Sequence, residues 1–172
     1  MTMSAKAAAD APLANGQWWV ATPGELMKIR VTCDETAGVY TMFEAVADPR
    51  NGVPLHIHAN EDEHFLVLEG MLHMANGNER LDVPAGNAVT VEKGVPHAWV
   101  NLGETPVRFL IIFSPGHIEE MFMEIAAAAG DVALSSAASD RFGTVVVGPT
   151  LADGVYSFVS PRPSLERSNN RF

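Results

Sequence analysis

Cysteine is nearly absent from this chain. Cys33 is the only one among 172 residues, so no intrachain disulfide can form. A chain without disulfides is compatible with a reducing compartment, and an isolated cysteine most often packs as a small apolar residue. We therefore expect Cys33 to be buried and look to other side chains for chemistry.

Positive charge is also scarce. The chain has 11 Lys and Arg residues against 21 Asp and Glu residues, which gives a formal net charge of −10. Binding to nucleic acid or to an anionic membrane depends on clustered basic side chains that neutralise phosphates, and no such cluster is present. The composition therefore argues against both kinds of partner.

Long apolar runs are missing as well. The run over residues 109–113 is far shorter than the roughly 20 residues that a membrane-spanning helix requires. The alanine-rich stretch over residues 2–11 is interrupted by Lys6 and Asp10 and lacks the apolar block of a secretory signal. We therefore expect a cytoplasmic protein.

What is present is the pattern of a small β-protein. Short runs of β-forming residues, separated by turn residues, recur over residues 17–113 and predict an all-β barrel or sandwich. Beyond them, helical spacing predicts a helix of about three turns that Ser114 caps and Gly130 ends. A weaker helical pattern follows over residues 135–142, and residues 145–147 predict a last strand. We expect one domain over residues 16–160, with flexible tails at 1–15 and 161–172.

Three histidines and a carboxylate stand at metal-binding spacing. His56 and His58 are two residues apart, so on a strand both imidazoles project from the same face. Glu63 follows His58 by an odd number of residues, which requires a turn or bulge over residues 59–62 to return it to that face. With His97 they form a mixed nitrogen and oxygen set, which suits one divalent transition metal ion: Fe, Mn, Ni, Co, Cu or Zn.

At these motifs the chain resembles the cupin family. The first motif is His56-x-His58-x4-Glu63-x6-Gly70, and the second is Gly86-x5-Glu92-x-Gly94-x2-His97-x3-Asn101. The chain departs from the family pattern at Glu92, where proline is usual, and at Arg50, where glycine is usual. The resemblance implies an all-β, single cupin barrel, a jelly-roll-like double-stranded β-helix with short C-terminal helices here. It also implies that His56, His58, Glu63 and His97 ligate the metal and leave positions open for other molecules.

A looser resemblance points to single-domain relatives of quercetin 2,3-dioxygenase. It rests on the Glu61 to Gly70 segment, on the link from Ser114 into Phe122, and on the late segments at Arg141 and Val147. It implies a small flavonol-like, enolisable substrate, with dioxygen as co-substrate and Glu63 as the catalytic base. Strand parity makes Phe65 and Trp99 candidate walls of a substrate pocket, and His73 a candidate substrate contact.

Two other functions remain open from the sequence. The metal could organise a pocket for a metabolite without any bond being broken, or it could act as a Lewis acid in a non-oxidative isomerase or lyase, with Glu63 or His73 as base. Apolar sheet edges favour a homodimer.

Overall fold

The computed structural model describes residues 16–128 and 130–151. The predicted tails, and residues 152–160 of the predicted domain, lie outside this part of the chain. The domain boundaries therefore remain a prediction. None of the described helices combines the length and the apolar composition needed to span a membrane.

Eleven strands among the described residues form two antiparallel sheets. The strands of the first sheet are β1 (Trp19–Thr22), β2 (Glu25–Val31), β3 (Thr41–Ala47), β5 (Asp62–Glu69), β8 (Ala88–Val91) and β10 (Val107–Ser114). Those of the second are β4 (Pro54–His58), β6 (Met71–Asn76), β7 (Glu79–Pro84), β9 (His97–Val100) and β11 (Thr144–Thr150). The first, six-stranded sheet has the order β1-β2-β3-β10-β5-β8, and the second, five-stranded sheet has the order β11-β4-β9-β6-β7.

The core lies between the inner faces of the two sheets. Strand β10 alternates between buried and half-buried residues along its whole length, which places Val107, Phe109, Ile111 and Phe113 inside. Its neighbour β5 buries Phe65 and Val67 in the same way. This alternation is the pattern of a sheet that covers a core with one face, and the all-β fold class is confirmed.

The region after β10 differs from the prediction in two places. Ser114 does not cap a helix, because it is the last residue of β10 and its hydroxyl donates a hydrogen bond to the carbonyl of Val39 at 3.0 Å. A 3-10 turn at Gly116–Ile118 follows, and only then does helix α1 (Glu119–Ala127) begin. The predicted start at Ser114 was therefore wrong, since the strand pairing extends through that residue.

Helix α2 (Val132–Arg141) begins earlier than the weak pattern over residues 135–142 predicted. The carboxylate of Asp131 accepts hydrogen bonds from the backbone N–H groups of Ala133 and Leu134, and this N-cap fixes the first turn. The helix leads into β11, which pairs with β4 and sets Thr144 opposite His58. The C-terminal elements thus reach the candidate site.

Candidate metal centre

Side chains from three strands converge on one point of the barrel interior. His56 and His58 come from β4, Glu63 comes from β5 and His97 comes from β9, and each offers one ligand atom. These four atoms all lie within 4.8 Å of one another, so a single ion could contact all of them. The strand pairing accounts for part of this geometry, since His56 and His97 are direct partners across β4 and β9.

The shortest contact in the cluster joins Nε2 of His97 to Oε2 of Glu63, at 2.6 Å. Nε2 of His58 lies 3.5 Å from the same oxygen, and the Nε2 atoms of His56 and His58 are 3.2 Å apart. His58, Glu63 and His97 are almost fully buried, and His56 is half-buried. A carboxylate oxygen and three imidazole nitrogens thus face a common centre.

Each imidazole forms a hydrogen bond through Nδ1, the ring nitrogen that does not face the common centre. Nδ1 of His56 donates to the carbonyl of Pro54 at 2.8 Å, and Nδ1 of His97 donates to the carbonyl of Val95 at 2.9 Å. Because a carbonyl only accepts, both rings carry the proton on Nδ1 when neutral, and Nε2 keeps its lone pair. Nδ1 of His58 meets the hydroxyl of Thr144 at 2.8 Å. Such outer hydrogen bonds are typical of metal-ligating histidines, so the donor set is compatible with a metal ion.

The charges in the cluster are strongly coupled. Burial alone would raise the pKa of Glu63, but hydrogen bonds with His58 and His97 outweigh it and hold that pKa far below the ordinary value. Burial would lower the pKa of His97, but its bond to Glu63 raises it overall. Burial, followed by the charge of His97, lowers the pKa of His56 to about 4. Glu63 is therefore ionised at neutral pH, and His97 is the imidazole that holds a proton most strongly among those whose pKa is shifted.

Comparisons with known proteins identify the fold that carries this cluster. Residues 43–113 match the model of the cupin domain family. The barrel also aligns with the structure of KdgF from a Halomonas species, with a TM-score of 0.53, 21% identity, and coverage of 58% of this chain and 86% of that chain. This chain has a cupin fold.

Two further similarities are more partial. The oxalate decarboxylase of Lactobacillus farciminis aligns with this cupin barrel at a TM-score of 0.51 and 18% identity, over 58% of this chain and 31% of that chain. An uncharacterized protein of Methanocaldococcus jannaschii is 28% identical over 80 residues, which are 46% of this chain and 64% of that protein's length. At these identities the structural alignments show the fold alone.

The turn that joins His58 to Glu63 is anchored by the C-terminal part of the cupin barrel. The backbone N–H of Ala59 donates to the carbonyl of Gly143 at 3.0 Å, and Nδ2 of Asn60 donates to the carbonyl of Phe142 at 3.0 Å. Strand β4 ends at His58 and β5 begins at Asp62, and the turn between them lets His58 and Glu63 face the same side despite their odd spacing. The predicted break in the strand is confirmed.

The aromatic neighbours of the cluster come from residues that the sequence did not single out. The ring centroid of Phe113 lies 5.3 Å from that of His58. Phe122 of α1 lies 5.5 Å from Phe113 and 4.9 Å from Phe43. Phe113 could have been identified from its inward parity on β10, but the approach of Phe122 depends on how α1 docks against the barrel.

The predicted pocket residues fall into two groups. Phe65 and Trp99 do face the interior, where each packs against Phe109, with ring centroids 6.2 Å and 5.1 Å away. Both are almost fully buried in the core. Their roles as substrate contacts remain predictions.

His73 is placed differently from the metal cluster. It is on the opposite face of β6 from the core residues Leu72 and Met74, and its Nδ1 lies 2.7 Å from Oδ1 of Asp82 on β7. The structure thus does not bring His73 together with the four predicted ligands, and its role as substrate contact or base remains a prediction. Its observed partner is a carboxylate on the neighbouring strand.

Cys33 is half-buried rather than part of the core, and its Sγ lies 3.6 Å from Nδ1 of His117. The expectation of full burial was wrong because Cys33 leads into a short 3-10 turn at Asp34–Thr36, outside the barrel strands.

Two buried carboxylates with raised pKa values were missed by the sequence reasoning. Glu25, on the core-facing side of β2, is 5% exposed, and burial, with a further contribution from the charge of Glu63, raises its pKa to about 7. Glu61, in the turn before Glu63, is 4% exposed, and burial raises its pKa. Glu25 lies outside the motifs, and Glu61 begins a segment that was used only for the resemblance, so the folded arrangement is what reveals their burial.

Proposed function

We propose that this protein is a metal-dependent dioxygenase that acts on a small aromatic or enolisable substrate of the flavonol type. The observation that carries the proposal is the cluster of His56, His58, Glu63 and His97, in which backbone carbonyls bind Nδ1 of two imidazoles and leave Nε2 of each available for a metal ion. The ring of Phe113 lies beside His58, and Phe122 packs against Phe113, so that aromatic rings near the cluster would offer an apolar surface to a planar substrate.

The four side chains would hold one divalent transition metal ion, His56, His58 and His97 through Nε2 and Glu63 through Oε2. When bound, such an ion supplies Lewis acidity and, for a redox-active metal, access to dioxygen. The surrounding residues orient the ligands. Thr144 and the carbonyls of Pro54 and Val95 hold the imidazoles, and the burial of Glu63 keeps bulk water away from its carboxylate.

Glu63 is the residue that would handle the substrate proton. It is ionised at neutral pH, so its carboxylate can accept a proton from an enol or phenol hydroxyl. The depressed pKa makes it a weak base, and transfer is favourable only from a hydroxyl whose acidity has been raised by a nearby cation. Glu63 would therefore accept the substrate proton only when a metal ion is bound at the site.

A non-oxidative reaction is the second candidate, and Glu25 is the observation that favours it. Glu63 is held ionised, whereas burial raises the pKa of Glu25 to about 7, with a further contribution from the charge of Glu63. A carboxylate that is ionised and one that keeps its proton near neutral pH could serve as base and acid in an isomerase or lyase.

A stepwise assay separates these functions. Metal-loaded protein is mixed anaerobically with flavonols and other enolisable phenols, and air is then admitted. The dioxygenase proposal expects product and oxygen uptake only after air, at a rate that His97→Ala abolishes and His64→Ala preserves. His64 is a suitable control because its Nδ1 contacts the hydroxyl of Thr90, away from the cluster. Turnover without air would support the isomerase or lyase, and thermal stabilisation without turnover would support a binding protein.

We propose that the protein forms a homodimer through its exposed apolar sheet edges. Strand β11 is at the edge of its sheet among the described residues, and Val145, Val146 and Val147 are 46%, 59% and 47% exposed. At the edge of the other sheet, Val20 is 62% exposed. Pairing with a second copy would cover such an edge. Light scattering at micromolar concentration should give twice the chain mass, and a monomer would contradict the proposal.

A further inference from the structure

We propose that Glu61 binds the substrate, with its free carboxylate oxygen accepting a hydrogen bond from a hydroxyl group other than the one that meets the metal. The inference rests on the proposed function, because it concerns a second contact to a molecule held at the His56, His58, Glu63 and His97 cluster. It narrows the substrate class to polyhydroxylated enolisable compounds.

The side chain of Glu61 is buried at the start of β5. Glu61 and Glu63 are both buried, at 4% exposure each, on either side of the half-buried Asp62. Asp62 turns the other way, and its Oδ1 accepts a hydrogen bond from the backbone N–H of Lys93 at 2.8 Å. Glu61 is therefore buried like Glu63, although it lies in the turn that follows His58 and directly precedes β5.

The position of Glu61 in the chain brings it near the cluster, because it lies in the turn that joins His58 on β4 to Glu63 on β5. The charges of His58 and of the exposed His117, in the 3-10 turn that follows β10, both act on its carboxylate. The backbone N–H groups of Asn60 and Glu61 also bond to the carboxylate. The turn holding the group is itself tied to Phe142 and Gly143, so the carboxylate is fixed in position.

One oxygen of this fixed group lacks a partner. Among the described residues, no hydrogen-bond donor reaches Oε2 of Glu61, although the atom is shielded from bulk solvent. A buried acceptor that is left unpaired carries a desolvation penalty, and native proteins keep few of them. A hydroxyl group of a bound molecule, adjacent to His58, would satisfy it. Such pairing is also a strong source of discrimination between substrates with and without that hydroxyl.

The test uses two metal-chelating probes that differ in their additional hydroxyl groups. 3-Hydroxyflavone carries the chelating hydroxyl and carbonyl pair alone, whereas quercetin carries further hydroxyls. Binding of each probe to the cobalt-loaded full chain is followed by absorbance titration under argon, so that no turnover occurs. The variants are Glu61→Leu, which removes the acceptor, Glu61→Gln, which keeps one, and Glu92→Gln as a matched loss of an exposed carboxylate.

We expect Glu61→Leu to weaken quercetin binding about tenfold or more and to change 3-hydroxyflavone binding less than about twofold. Glu61→Gln should recover most of the quercetin affinity, and Glu92→Gln should resemble the parent protein. Glu61→Leu should also keep its cobalt affinity, because Glu61 supplies none of the four ligand atoms. Its melting temperature should fall only modestly, because the loss of the carboxylate leaves the backbone N–H groups of Asn60 and Glu61 without that acceptor.

Three results would overturn the inference. Equal quercetin binding by Glu61→Leu and the parent protein would mean that Oε2 meets no substrate group, and only water could then pair with it. A joint loss of cobalt affinity and thermal stability in Glu61→Leu would assign the residue a structural role. Failure of the parent protein to bind either probe would refute the substrate class. Binding with the expected ratio but no oxygen uptake on admission of air would instead refute the dioxygenase proposal alone.

Discussion

Replacing Thr144 with valine should weaken metal binding while leaving the fold of the metal-free protein intact. Thr144 and His58 are 7% and 3% exposed, and the Thr144 hydroxyl lies 2.8 Å from Nδ1 of the imidazole. When His58 offers Nε2 to a metal, its proton is on Nδ1 and needs an acceptor. Valine has the shape of threonine without the hydroxyl, so Thr144→Val leaves that buried N–H unpaired.

The size of the effect follows from the unpaired group. An unsatisfied buried donor costs about 1–3 kcal/mol, which corresponds to a loss of roughly 10–100-fold in metal affinity. In the metal-free protein His58 can move its proton to Nε2, which faces Oε2 of Glu63 at 3.5 Å. The penalty therefore falls on the metal-bound state, and the free energy of unfolding of the metal-free protein should change much less.

The assay is a competition titration of cobalt or zinc against a chelator of known affinity, together with thermal melts of the metal-free protein. Thr90→Val is the matched control, because the Thr90 hydroxyl makes the same kind of bond to Nδ1 of His64 at 2.9 Å on the outer face. A change in affinity below about twofold, or an equal change in the control, would refute the reasoning.

The remaining predictions concern pH, a buried acid and a helix cap. Metal affinity should fall as pH drops below the raised pKa of His97, by up to about tenfold per pH unit, because the ion must displace the proton of that imidazole. A metal affinity that stays constant from pH 8 to pH 5 in a chelator titration would contradict this. The pKa of Glu25 is about 7 in the folded protein, above its ordinary value of 4.5. Its contribution to the free energy of unfolding is therefore fully present below pH 4.5 and is lost as pH rises through 7, a total loss of roughly 3 kcal/mol. In denaturant melts, the free energy of unfolding of Glu25→Gln should lack this fall with pH. The same pH dependence in the parent protein and in Glu25→Gln would contradict the prediction. Asp131→Ala should lower stability by about 1 kcal/mol in the same melts through loss of the α2 cap, whereas an unchanged midpoint would show that the cap is dispensable.

The sequence predicted the parts of the fold that depend on local patterns. The alternation in β10 and the spacing of His56 and His58 follow from the two-residue period of a strand, and the structure shows both. The turn before Glu63 could be predicted because an odd spacing cannot keep two residues on one face.

What the sequence did not predict depends on contacts between distant segments. Asp131 caps α2, but the hydrophobic pattern of that helix is weak, so its start was placed too late. The hydrogen-bond partner of His58 is Thr144, and the packing of Phe122 against Phe113 depends on the path of the chain after β10. The burial of Glu25 and Glu61 is likewise a property of the closed barrel, since glutamate alone favours the surface.

The most direct test of the account is elemental analysis of the untagged protein, combined with X-ray absorption of the bound metal. We predict one transition metal ion per chain, coordinated by imidazole nitrogen and carboxylate oxygen, which is lost in His97→Ala and retained in His64→Ala. Protein that binds no transition metal above background, or that retains it fully in His97→Ala, would contradict the proposed centre.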